Sequence, residues 1–253
     1  MEVHAHTHTA PASGGTGRKK WTHYLWEFLM LFLAVFCGFL AEYKLEHVVE
    51  HEKERQYIRS LIADLNENDK VINQELDFEE TRIVMMDSMI TLLNNPTGIR
   101  GNEGLLYYLA RMSPRLPTLS VNSRTFEQLK NSGNFRLIRE IETSNRIMAY
   151  YENIPLIRQI EDLYQKEFEQ YKIVASRIFD PAVFTSMETK NGEIIRTDKN
   201  PPLQTYDPGI IKQLSLFAVY MNGSGRGILR ETEELKRKGK IMTAYLQKEY
   251  HLE

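Results

Sequence analysis

The chain has 253 residues, room for one large domain or for one domain and an anchor. With 42% hydrophobic and 26% charged residues, it has the composition of neither a disordered nor a polytopic membrane protein. A net charge of −2 argues against the concentrated basic face of a nucleic-acid-binding protein, and a single cysteine, Cys37, excludes an intrachain disulfide or a CxxC metal site.

Residues 1–20 read as a disordered tail rich in turn-forming residues. In it His4, His6 and His8 alternate, close enough to chelate a divalent metal, although incidental histidines in an unstructured tail are the plainer reading.

Residues 21–43 read as a transmembrane helix. Phe28 to Ala41 is a run of fourteen residues without a charge, a length that also suits a core helix or a signal peptide. The flanks favour a span. Trp21, Tyr24 and Trp26 stand at one end and Tyr43 at the other, as interfacial aromatic belts do. As a helix the segment is roughly 34 Å long, against a hydrocarbon core of about 30 Å. Its Leu, Phe and Val side chains contribute roughly −3 to −6 kcal/mol towards insertion, and Glu27 lies near the boundary, where its penalty is small. No small-x-small cleavage site follows the run, because Phe39 stands three residues before a cut after Ala41. The cluster Arg18-Lys19-Lys20 places the N-terminus in the cytoplasm and the large domain outside, in a bacterial inner membrane. Ala34 and Gly38 form a small-xxx-small pair of the kind that lets helices approach closely in a homo-oligomer.

Residues 44–253 read as a helical-bundle domain with a juxtamembrane stalk. A heptad pattern starts at Ile58. One column is Ile58, Leu65, Ile72, Glu79, Met86 and Leu93; the other is Ile62, Asp69, Leu76, Ile83 and Ile90. Nine of these eleven positions are apolar, which predicts a long helix continuous with the span and ended by Asn94-Asn95-Pro96-Thr97-Gly98. The stripe suits either a bundle core or an oligomeric coiled coil.

A short helix is expected over Glu103–Met112, then a loop to Asn122, then a helix with Thr125 and Gln128 as a capping box and Gly133 just past its end. A second long helix is expected over residues 140–179, kinked at Pro155. Residues 181–206 lack helical periodicity, and Lys190-Asn191-Gly192 suggests a small β-hairpin. Asp207-Pro208 starts another helix, and the glycine-rich run from Asn222 to Gly227 is expected to turn the chain into the last one. The fold class is therefore all-α, an antiparallel helical bundle rooted by its first helix.

Two motifs carry possible chemistry. His47, Glu50 and His51 form an HxxEH string, which on a helix places two imidazoles on one face with a carboxylate beside them, the inverted zincin pattern. On an acidic stalk, with no third ligand assignable, a solvated helix face is the plainer reading. The basic run 236–240 is either a solvated face or a partner for residues 42–80, which hold twelve acids against five Lys and Arg.

The stretch RKKWTHYLWEFLMLFLAVFCGFLAEYKLEH and the stretch TFEQLKNSGNFRLIREIETSNRIMAYYENI, with Ser132, Gly133, Asn134, Phe135, Leu137, Ile138, Tyr150 and Tyr151, resemble an uncharacterised family of bacterial single-pass membrane proteins. The resemblance implies a membrane-anchored helical domain of unknown role and brings no catalytic residue or cofactor. The expected function is non-enzymatic: a scaffold, sensor or partner-binding module whose partners are the bilayer and another envelope protein or a second copy. The alternative is a membrane-tethered, metal-dependent hydrolase using His47, Glu50 and His51.

Overall fold

The computed structural model describes residues 17–252, which are helical with no strand among them; His4, His6 and His8 lie outside this range. Helix α1 runs unbroken over Gly17–Leu93, as the absence of proline between those residues allows. It is followed by α2 (Pro96–Ile99), α3 (Glu103–Met112), α4 (Arg124–Asn131), a 3-10 turn at Asn134–Leu137, α5 (Ile141–Tyr151), α6 (Asn153–Ala175), α7 (Pro181–Ser186) and α8 (Pro208–Glu249). The all-α class is as expected. The chain divides into two compact units between Lys53 and Glu54, so residues 44–53 fall in the first unit.

In the second unit the heptad columns of α1 lie in the core. Ile58, Leu65, Ile72, Glu79, Met86 and Leu93 are all buried, with Leu76 and Ile83, while Ile62, Asp69 and Ile90 are half-buried. The stripe is thus covered within the chain.

Cross-links give the register. Asn68, Arg82 and Met89 meet Tyr150, Tyr164 and Tyr171, each 82 residues further on, so α5 and α6 run parallel to α1. Glu54 meets Tyr250, Asp87 meets Arg226 and Asn94 meets Ser215, so α8 runs antiparallel to α1. The two parallel neighbours are possible because residues 94–140 carry the chain back along the bundle.

Four local expectations are corrected. The long helix expected over 140–179 breaks at Glu152 rather than bending at Pro155. Pro155 has no N–H for the Tyr151 carbonyl four residues earlier, so α5 ends there and Pro155 sits in the first turn of α6. Thr125 lies inside α4, whose N-cap is Ser123, and the capping box does not form. Instead the Thr125 backbone N–H donates to Asp64 Oδ2 of α1 (3.1 Å). Residues 181–186 form α7 behind Asp180, whose carboxylate accepts from the Ala182 N–H, and the hairpin reduces to one antiparallel bridge, Glu188 to Ile194, around Gly192 at φ 80°.

The fourth correction concerns the glycine-rich run, which lies inside α8 and turns nothing. A Cβ on Gly225 would sit 1.9 Å from Arg82 Nη2, so this glycine is there for close approach. Asn222 and Arg226, one turn apart, both donate to Asp87 of α1 at 2.6 Å. The run is a docking patch between α8 and α1. Two other expectations hold: Gly133 follows α4 with a φ of 69°, and Asp207 caps α8 with Pro208 in its first turn.

Candidate functional site

The residues expected at the membrane are all exposed: Trp21, Tyr24, Trp26 and Tyr43, and the Leu, Phe and Val side chains between them. The apolar window of α1 is long enough to cross a membrane, and none of it is buried. That burial pattern is the reverse of a soluble core helix. Gly38 has nothing within 4 Å of where a Cβ would be, so the Ala34–Gly38 face is open. Glu27 pairs with His23 one turn earlier (3.2 Å), a contact the i, i+4 spacing foretells.

The HxxEH residues lie on α1 in the first unit. His47 packs edge-on against Tyr43, with ring centroids 4.3 Å apart. Among the described residues, no group of three or more His, Cys, Asp or Glu side chains is arranged to hold a metal ion.

The second unit carries a feature that the apolar pattern concealed. A third heptad column of α1, Glu54, Leu61, Asn68, Glu75, Arg82 and Met89, is also turned inward. Four of its six members are polar. Beside it Asp64 and Glu79 are buried too.

Arg82 is the centre of this column, with 2% of its surface exposed, and its partner Glu79 has 1%. Arg82 Nε donates to Glu79 Oε2 (2.7 Å), and Nη1 donates to Tyr164 Oη (2.8 Å) and the Ser113 carbonyl (3.1 Å). Tyr164 Oη in turn donates to the Pro114 carbonyl (3.0 Å). Burial, the largest single influence, eases the proton off Arg82, but its hydrogen bond to Glu79 and the nearby Tyr164 and Glu79 together outweigh it and hold the guanidinium pKa above its ordinary value. Burial pushes the Tyr164 phenol up as well. The network joins α1, α6 and the loop after α3, and its charges are matched internally.

Two further clasps hold loops against α1. The Asn122 N–H donates to Asn68 Oδ1 (2.6 Å), while Asn122 Nδ2 donates to Asp64 Oδ1 (2.9 Å) and Glu67 Oε2 (2.7 Å). Glu54 Oε1 accepts from the Arg139 N–H (3.1 Å) and Tyr250 Oη (2.8 Å). On the facing helices, burial and then the neighbouring carboxylates raise the Glu75 pKa. Burial also raises that of Glu161, whose Oε1 accepts from the Leu119 N–H (3.0 Å).

Several clefts open on the bundle surface, among them the following two. One, about 420 Å³, lies between α1 and α8 and is lined by Asp69, Lys70, Tyr150, Lys236 and Lys240. It brings part of the basic run beside one acid of α1. Arg237 instead pairs with Glu234 of its own helix, and Lys238 Nζ donates to Asn153 Oδ1 of α6 (2.9 Å). The second cleft, about 330 Å³, lies between α3, α6 and α7 and has an aromatic wall and basic residues. Neither was visible as a motif, because each gathers residues from distant segments. No family model matches the chain, and no curated protein or solved structure is similar to it.

Proposed function

We propose that this chain is a membrane-anchored, non-enzymatic helical module of the bacterial envelope, whose bundle holds a ligand or partner at the membrane surface. The observation that carries the reading is the apolar window of α1, which none of the described residues covers. An apolar helix surface of this length left in water is unfavourable, and a bilayer removes it from water with all its backbone groups already bonded. The closed polar networks of the second unit support a rigid binding body, since their donors and acceptors are matched to each other. The resemblance to single-pass bacterial membrane proteins points the same way.

Expression in a bacterium, followed by an alkaline carbonate wash of the membranes, tests the anchor. The chain is expected in the pellet at full length, and release into the wash overturns the proposal. A mature N-terminus near residue 42 would identify a cleaved signal peptide instead. Protease added to spheroplasts tests the orientation: the bundle is expected to be digested, and a protected bundle places it in the cytoplasm. Metal analysis of the same preparation, with His47→Ala and His51→Ala, tests the absence of zinc chemistry. Stoichiometric zinc that these variants lose would establish the hydrolase.

A further inference from the structure

We propose that the cleft between α3, α6 and α7 is a binding site for a small aromatic carboxylate. The site does not depend on the anchor, because all of its residues belong to the second unit. Its volume, about 330 Å³, lies at the lower end of the range for small-molecule sites. Its wall is aromatic: Phe168, Tyr171, Phe179 and Phe184. Phe179 and Phe184 lie 5.5 Å apart between centroids and tilted, and the Arg111 guanidinium lies 5.8 Å from the Phe184 centroid, so the wall joins ring surface to positive charge.

The polar groups select the charge. No acidic side chain lines the cleft, whereas Arg111, Arg115 and Lys172 do. The neutral donors are already engaged: Tyr171 Oη donates to the Ala110 carbonyl (3.3 Å), and Ser176 Oγ donates to the Ile173 carbonyl (2.8 Å). Two of the cations have a structural explanation. Arg111 and Lys172 stand in the last turns of α3 and α6, where a positive charge complements the helix dipole. Lys172 also pairs with Glu169.

That explanation leaves two facts over. Arg111 Nε is a buried donor with no acceptor among the described residues, and its guanidinium reaches Glu188 only at 3.5 Å. Arg115 lies outside any helix, exposed, with no ion pair among the described residues. A carboxylate at this basic end of the cleft would offer acceptors to the two guanidiniums, and an aromatic body would fill the space against the ring wall.

The test uses the full chain in nanodiscs, titrated with 2-naphthoate and followed by its fluorescence, with empty nanodiscs subtracted. Saturable binding of one naphthoate per chain is expected, with 2-naphthylmethylamine binding at least about tenfold more weakly. Arg111→Gln with Arg115→Gln is expected to weaken naphthoate about tenfold or more. Ala175→Phe, which fills the cleft, is expected to abolish binding. Circular dichroism melts of each variant confirm the fold, so that loss of binding is not loss of structure. The proposal is overturned if naphthoate shows no saturable binding. It is equally overturned if the amine binds as well as the acid, or if the double arginine variant, still folded, binds as before.

Discussion

The two halves of α1 invert the usual rule of burial. In residues 21–49 the large apolar side chains are exposed, from Trp21 at 77% to Val49 at 43%. In residues 54–93 of the same helix, two glutamates, an aspartate, an asparagine and an arginine are buried among aliphatic neighbours. A helix satisfies its own backbone in any medium, so what decides burial is where each side chain finds its partners. For the first half that partner is lipid under the reading above. For the second it is the bundle, where every buried charge meets an opposite charge or a hydrogen-bond donor.

The sharpest way to break this comparison is to place charge in the first half. Phe32→Arg with Val35→Arg, near the middle of the span, adds about 6 kcal/mol to the free energy of insertion. The chain is expected to leave the carbonate-washed membrane fraction, while the thermal midpoint of the bundle stays where it was. A parallel loss of bundle stability would show that the first half serves the bundle's folding instead.

The next largest effect comes from the second half. Arg82→Met leaves Glu79 buried without its counter-charge and is expected to cost about 3–5 kcal/mol, read by urea denaturation. Replacing both, Glu79→Leu with Arg82→Met, is expected to recover most of that loss. If the single and double variants are equally unstable, Arg82 contributes through packing rather than charge matching.

Gly225 gives a finer test of the same contact. In the wild-type background, Gly225→Ala drives a methyl group into Arg82 and is expected to destabilise by about 1–3 kcal/mol. With Glu79→Ala and Arg82→Ala the space is clear, and the same change is expected to stabilise by up to about 1 kcal/mol through helix propensity. A change of equal sign and size in both backgrounds would mean that the contact with Arg82 and Glu79 does not set the cost.

The elements were legible in sequence wherever local chemistry decides. Asp207-Pro208 and Gly133 specify a cap and a turn without outside help, and the bounds of α3 follow from local pattern. The runs that misled did so because distant residues decide them. Asn222 to Gly227 looks like a loop until Arg82 and Asp87 are set against it. Thr125 looks like a cap until Asp64 takes that place. The buried column containing Asn68 and Arg82 kept the same seven-residue step as its apolar neighbours. Its polar members carry no apolar signal, and the tyrosines that receive them lie 82 residues away.

The smallest effect concerns the half-buried acids that face one another in the second half. Glu75 has its pKa raised above the ordinary 4.5, first by burial and then by Glu79 and Glu161. A raised folded-state pKa means that the native state binds the proton more tightly than the unfolded chain. The associated stability is therefore fully present below the unfolded value and is lost as pH rises through the folded one. At neutral pH the Glu75 charge opposes folding, and Glu75→Gln is expected to stabilise slightly. The difference from wild type should shrink as pH falls towards 4.5 and vanish below it, in paired urea titrations across that range. A variant that gains equally at every pH would place the effect in packing. One that loses stability at neutral pH would show that the Glu75 carboxylate has a cationic partner that outweighs its neighbours. Glu75 would then belong with Glu54 and Glu79, whose buried oxygens are held by donors, rather than with the half-buried acids.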